Sequence, residues 1–185
     1  ATDDTDADEN GGGLLLINGS EVYMENTLIA GNRTWAEDPS YSDESAYPDY
    51  GLGGGVHVAD GCDLEAINCT IADNHAHTRG GGLSSHQSSY LRNMIFWGNT
   101  SSNATLTSLI RSVDSNTGFH SMICRVGTID VEYSDIQYGY PTARFFSTTN
   151  DPLFVGGGDY RLQTNSPAID KGTPYQAPVI DLDGE

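Results

Sequence analysis

The chain has 185 residues, 26 of them acidic and 8 basic, for a formal net charge of −18. That length suits one domain with a real core if it is elongated, and the charge argues against nucleic acid or anionic membranes as partners. No run approaches the roughly 18 apolar residues that a membrane span needs, so no membrane insertion by this segment is expected.

Residues 1–10 read as an acidic linker or tail. Asp3, Asp4, Asp6 and Asp8 alternate like the start of a calcium loop, because a hard cation wants several oxygen ligands at close spacing. The run lacks a glycine at the sixth position and a distal glutamate in register, so a solvated linker competes with Ca²⁺ binding here. The start at Ala1 without a signal peptide suggests a processed or trimmed form.

From Gly11 the chain repeats itself. Gly11-Gly12-Gly13-Leu14 leads to Asn26 and Asn32, Gly53-Gly54-Gly55-Val56 to Asn68 and Asn74, and Gly80-Gly81-Gly82-Leu83 to Asn93 and Asn99. The triplets at 53 and 80 lie 27 residues apart, and the runs between the marks alternate at period two and lack helical spacing. Such a repeat cannot bury one apolar face alone. Stacked at about 4.8 Å per coil it can, which predicts an all-β fold: a right-handed parallel β-helix, or solenoid, of about four to five coils over 11–150. Stacking aligns two columns, Asn26, Asn68, Asn93 and Asn32, Asn74, Asn99, whose amides carry both donor and acceptor and can bond along the stack. The glycines suit corners that need positive φ or close backbone approach.

Two insertions interrupt the coils, at 33–51 and 100–127. The first holds Trp35, Tyr41, Tyr47 and Tyr50 among carboxylates, a set that could hold a sugar by stacking and hydroxyl bonds or could form a protein contact. Folding back onto the stack to bury these rings is the competing reading. In the second coil Asp60-Gly61 signals a turn, and Asp60 with Asp63 could act as a glycosidase-like carboxylate pair. His75 and His77 could ligate a metal, although exposed corner residues explain them as well, while His57, His86 and His120 stand isolated in sequence. Residues 106–113 read as a strand. Ile129 to Ile136 reads as a further coil with Ser134 in the asparagine column, and its Asp130, Glu132 and Asp135 form a second carboxylate cluster. Cys62, Cys69 and Cys124 allow one disulfide or none, with burial as small apolar residues the alternative. Of the glycosylation patterns, those at Asn18 and Asn103 fall outside the columns and are the plausible acceptors.

The glycine triplets followed by Leu or Val, with Ile29-x-x-Asn32, Ile71-x-x-Asn74 and Phe96-x-x-Asn99, resemble the GGA-I/L/V and FxxN repeats of polymorphic outer-membrane proteins and related secreted right-handed parallel β-helices. All three copies carry Gly in place of the motif Ala, and only the third has the Phe. Residues 151–185, with Asp151-Pro152-Leu153-Phe154, Gly158-Asp159-Tyr160-Arg161-Leu162, Ser166-Pro167-Ala168-Ile169-Asp170-Lys171-Gly172 and Asp181-Leu182-Asp183-Gly184, are similar to the C-terminal closing segment of bacterial surface β-helix proteins with varied anchors. The resemblance implies secretion to the cell surface or extracellular medium.

Three functions follow as expectations. The first is a non-enzymatic extracellular or cell-surface module for adhesion, display or structural assembly, contacting an extracellular polysaccharide or another surface protein. The second is a polysaccharide lyase or glycoside hydrolase of the β-helix type, using Asp60, Asp63, Asp130 and Asp135. Resemblance to pectin-lyase-like β-helices would then imply Ca²⁺ at the carboxylates. The third is a fibre subunit that self-associates head to tail through open coil ends, with the closing segment capping one of them.

Overall fold

A computed structural model describes residues 10–35, 51–102, 110–111, 129–137, 139, 143–145 and 147–180. Asp3, Asp4, Asp6, Asp8, Tyr41, Tyr47, Tyr50, Asn103, His120 and Cys124 lie outside these residues. The described chain is all β, without a helix. The first repeat supplies β1 (Leu14–Leu16), β2 (Glu21–Glu25) and β3 (Leu28–Ala30). The second supplies β4 (Val56–Val58), β5 (Asp63–Ile67), β6 (Thr70–Ala72) and β7 (His75–Ala76), and the third β8 (Leu83–Ser85), β9 (Ser89–Arg92), β10 (Ile95–Trp97) and β11 (Thr100–Ser101). Then come β12 (Ile110–Arg111), β13 (Ile129–Glu132) and β14 (Asp135–Ile136), followed by β15 (Phe154–Gly156) and β16 (Asp159–Leu162).

Successive repeats add successive strands to each sheet. The orders are β1-β4-β8-β12, β2-β5-β9-β13 and β3-β6-β10-β14, with β7-β11 as a shorter fourth pair. All these pairings are parallel. Several short parallel sheets fed in this order are compatible with a solenoid. Of the pair His75 and His77, His75 sits in β7, opposite Thr100 on β11 and bridged to Arg33, so it belongs to a sheet and not to an exposed corner.

The period-two pattern sorts the side chains. Val56 and Val58 are fully buried against Leu14, Leu16 and Leu83, while the third sheet contributes the column Ile29, Ile71, Phe96 and Ile136. Cys62 and Cys69 are free thiols inside this core, which decides for the apolar reading of those two. Gly53, opening its triplet, has φ +64, a conformation that Cβ-bearing residues resist. Gly55 is there for space, since a Cβ would stand 2.6 Å from the Gly82 carbonyl oxygen.

The two asparagine columns differ physically. Asn26, Asn68 and Asn93 hold left-handed corners at φ 46, 54 and 53 and are half-buried. The register Glu132↔Arg92 puts Tyr133, at φ 49, opposite Asn93, so Tyr133 and not Ser134 continues this column. The strained Tyr133 corner is braced by stacking on Phe145, with ring centroids 5.8 Å apart. Ser134, one place on, accepts the Met94 N–H at 3.1 Å. The second column points inward. Asn74 donates to Asn99 Oδ1 (3.0 Å) and to the Ile29 carbonyl (2.9 Å), and its own Oδ1 accepts from the Asn32 backbone (2.9 Å) and side chain (3.0 Å).

β13 and β14 do not end unpaired. Arg144 and Thr148 form parallel bridges to Glu132 and Asp135. The closing segment follows these residues in the chain. After the antiparallel hairpin of β15 and β16 it runs back along the flank, where Thr173 exchanges hydrogen bonds with the Asn93 amide and the Ile180 carbonyl accepts from Asn26. It straps the left-handed corner from the third repeat to the first.

Candidate functional site

The four candidate aspartates are placed in different surroundings. Asp60 occupies the exposed turn before β5, its carboxylate 3.9 Å from His86 Nδ1. Asp63 opens β5 opposite Glu21 and is exposed. Asp130, on β13, pairs with Arg144 at 3.5 Å. Asp135 lies on β14, in another sheet. Asp130 and Asp135 thus share a repeat without sharing a face, and among the described residues no group of three or more His, Cys, Asp or Glu side chains converges for a metal.

The surroundings of Asp135 make the most distinctive site. Register places Leu28, Thr70, Ile95 and Asp135 in one outward column of the third sheet, continued by the bridge to Thr148. The closing segment crosses outside this column, with Leu162, Ile169 and Pro174 opposite, and encloses a cleft of about 740 Å³. Asp135 is only 6% exposed, both of its oxygens are closed off from solvent, and neither makes a well-aligned hydrogen bond among the described residues, the Thr148 hydroxyl being the polar group beside it. Burial raises its pKa above the ordinary carboxylate value, the Thr148 hydroxyl lowers it in part, and the Asp151 charge raises it further. Lys171, the chain's only lysine, lines the same cleft but is exposed.

The neighbouring carboxylate is compensated. Glu132 accepts from Arg92 at 3.3 Å, and the Arg92 guanidinium lies between the rings of Tyr90 (4.7 Å) and Tyr175 (5.0 Å) while donating to Gln176. This buried arginine ties the closing segment to β9. Its spacing carries no motif, and only the return of Tyr175 and Gln176 across the flank gives it that role.

A second polar cluster escaped the sequence. His57 and His86, 29 residues apart, meet edge to face with ring centroids 5.1 Å apart, both buried, next to the buried hydroxyl of Ser84. The contact is diagonal: the repeat aligns His57 with Ser84, and His86 lies two places beyond. Burial, then the neighbouring His86, lowers the His57 pKa to about 4 from 6.5. The unfolded chain therefore binds the proton first as pH falls, so the stability tied to neutral His57 is intact above about 6.5 and is lost towards about 4. We expect denaturant midpoints to report a loss of about 3 kcal/mol over that window, and His57→Gln to flatten the difference. Parallel pH curves for the two proteins would contradict this assignment.

Of the remaining candidates, Trp35 is 58% exposed at the start of the first insertion, its ring 6.1 Å from that of His77. His75 has both ring nitrogens engaged, by Thr100 Oγ1 and Ser102 Oγ at 2.9 Å each, which satisfies it without a metal. Asn18 is exposed in the turn after β1, at φ 59. No family model matches the chain, and neither a curated protein nor a solved structure matches it. No helix of the described residues is long and apolar enough to cross a membrane.

Proposed function

We propose that the chain is a right-handed parallel β-helix module of four to five coils, working as a non-enzymatic extracellular or cell-surface scaffold for adhesion, display or assembly. The right hand follows from the general preference of parallel crossovers. The observation that carries the function is where the aromatic insertion emerges. Its first ring, Trp35, stands exposed beside a core held by laddered amides and close-packed glycines, and loops carried on such frames are the usual binding elements. The acidic surface fits a salt- or calcium-rich medium.

The deciding experiment is a glycan-array screen in Ca²⁺ with a product assay on every hit. Binding without cleavage is expected, and Trp35→Ala and Tyr47→Ala should weaken it while circular dichroism stays unchanged. Cleavage would overturn the non-enzymatic reading, and binding that survives both substitutions would remove the insertion from it. Head-to-tail fibres are disfavoured, because residues 144 and 148 already pair with the last strands. Sedimentation should accordingly find a monomer at all salt and calcium concentrations.

A further inference from the structure

The closing segment is attached to the coils by other means than the strands are. Among the described residues after Thr148, backbone hydrogen bonds run only within the segment, as from Gln163 to Leu153 and from Ser166 to Gln163. None of its residues belongs to the hydrophobic core. Side chains hold it instead. Tyr160 donates to Asp73 at 2.9 Å, and Thr173 exchanges bonds with the Asn93 amide at 2.8 Å each. Further along, Arg92 donates to Gln176 and lies 5.0 Å from the Tyr175 ring, and Asn26 donates to the Ile180 carbonyl. Between these anchors the cleft of about 740 Å³ lies between Thr70 and Ile95 on one wall and Leu162, Ile169 and Pro174 on the other. A segment with little buried apolar surface and few bonds to its neighbours opens at a lower free energy than the whole fold. The stack beneath is held by parallel ladders and by buried side chains such as Ile71, Leu91 and Phe96.

We propose that residues 152–180 are a strap that opens and recloses as one unit while the coils stay folded, and that the grip of Tyr175 and Gln176 on Arg92 sets how often it opens. Residues 149–151 are the hinge. All three are exposed, and they follow Thr148, which is still bridged to Asp135 of β14. Arg92 suits this control because the coils hold it in place. It is buried, paired with Glu132 at 3.3 Å and stacked on Tyr90 at 4.7 Å, so the strap docks on a preformed receptor and gives up only its own side of the contact on leaving. Opening removes the outer wall of the cleft and bares Thr70 and Ile95, so the strap gates that face of the third sheet. The gate is separate from the Trp35 insertion and does not depend on glycan binding.

The test is hydrogen exchange of the whole chain, followed residue by residue by NMR. Thr173 is the reporter, since its N–H donates to Asn93 Oδ1 only while the strap is docked. Its amide should be protected, but about 100-fold less or weaker still than the slowest amides of β5, β6 and β9. Low urea should leave Thr173 exchange nearly unchanged while accelerating those strand amides, because strap opening exposes little surface. Tyr175→Ala combined with Gln176→Ala changes two exposed strap residues and no part of the core. The double variant should speed Thr173 exchange about tenfold and leave the strand amides as they are. Thr173 protected as strongly as the strands, or exchanging at the rate of an unfolded chain, would overturn the proposal. So would a double variant that leaves Thr173 unchanged or that speeds all amides alike.

Discussion

Replacing Asn74 by leucine is expected to lower the unfolding free energy by about 2–5 kcal/mol, as read from urea denaturation. Asn74 is fully buried, and its amide is the middle rung of the inner ladder. Leucine would fill the space, but the Ile29 carbonyl loses its donor and the Asn32 backbone N–H loses its acceptor. A buried polar group left without a partner costs about 1–3 kcal/mol, and two are created at once. The outer column supplies the comparison. Asn68 accepts one bond from Asn93, which also donates to Thr173, so Asn68→Ala should cost only about 1 kcal/mol, chiefly from the left-handed corner at φ 54. Equal losses at the two positions would show that the inner ladder has no special energetic role.

Gly81→Ala should be strongly damaging, with a loss above about 3 kcal/mol. The reason is space, not conformation. A Cβ at Gly81 would stand 2.6 Å from the Thr100 backbone nitrogen and closer still to its carbonyl oxygen, and that backbone cannot move away because β11 is paired with β7. Gly61 reverses the case. It has φ +76 and nothing within 4 Å of the added carbon, so Gly61→Ala meets backbone strain alone, about 1–2 kcal/mol. Thermal melts of the two variants separate close approach from left-handed geometry. A Gly81→Ala protein as stable as Gly61→Ala would mean that neighbouring repeats are less tightly packed than described.

Both predictions rest on features already visible in the repeat. When neighbours in space are the same position one period apart, a column of contacts is also a column in the aligned text. Asn32, Asn74 and Asn99 can therefore be read as bonded partners, and Ile29, Ile71 and Phe96 as one core column, before any coordinates. The repeat is less legible where its period is interrupted. After the second insertion no glycine triplet fixes the register, and a displacement of one residue exchanges Tyr133 for Ser134. Alternation amplifies such a slip, because one residue moves a side chain to the other face.

Period, glycine triplets and apolar alternation thus determined by themselves that this chain would build stacked parallel strands with amide ladders, because repetition turns long-range contacts into local pattern. Tertiary structure alone decided the non-repeating contacts: Arg144 taking Asp130, Arg92 gripped between Tyr90 and Tyr175, His57 meeting His86 on the diagonal, and the strap from Thr173 to Ile180 crossing Asn93 and Asn26. Those depend on the path of a segment that crosses the stack only once, and a single crossing leaves no period in the sequence from which to read it.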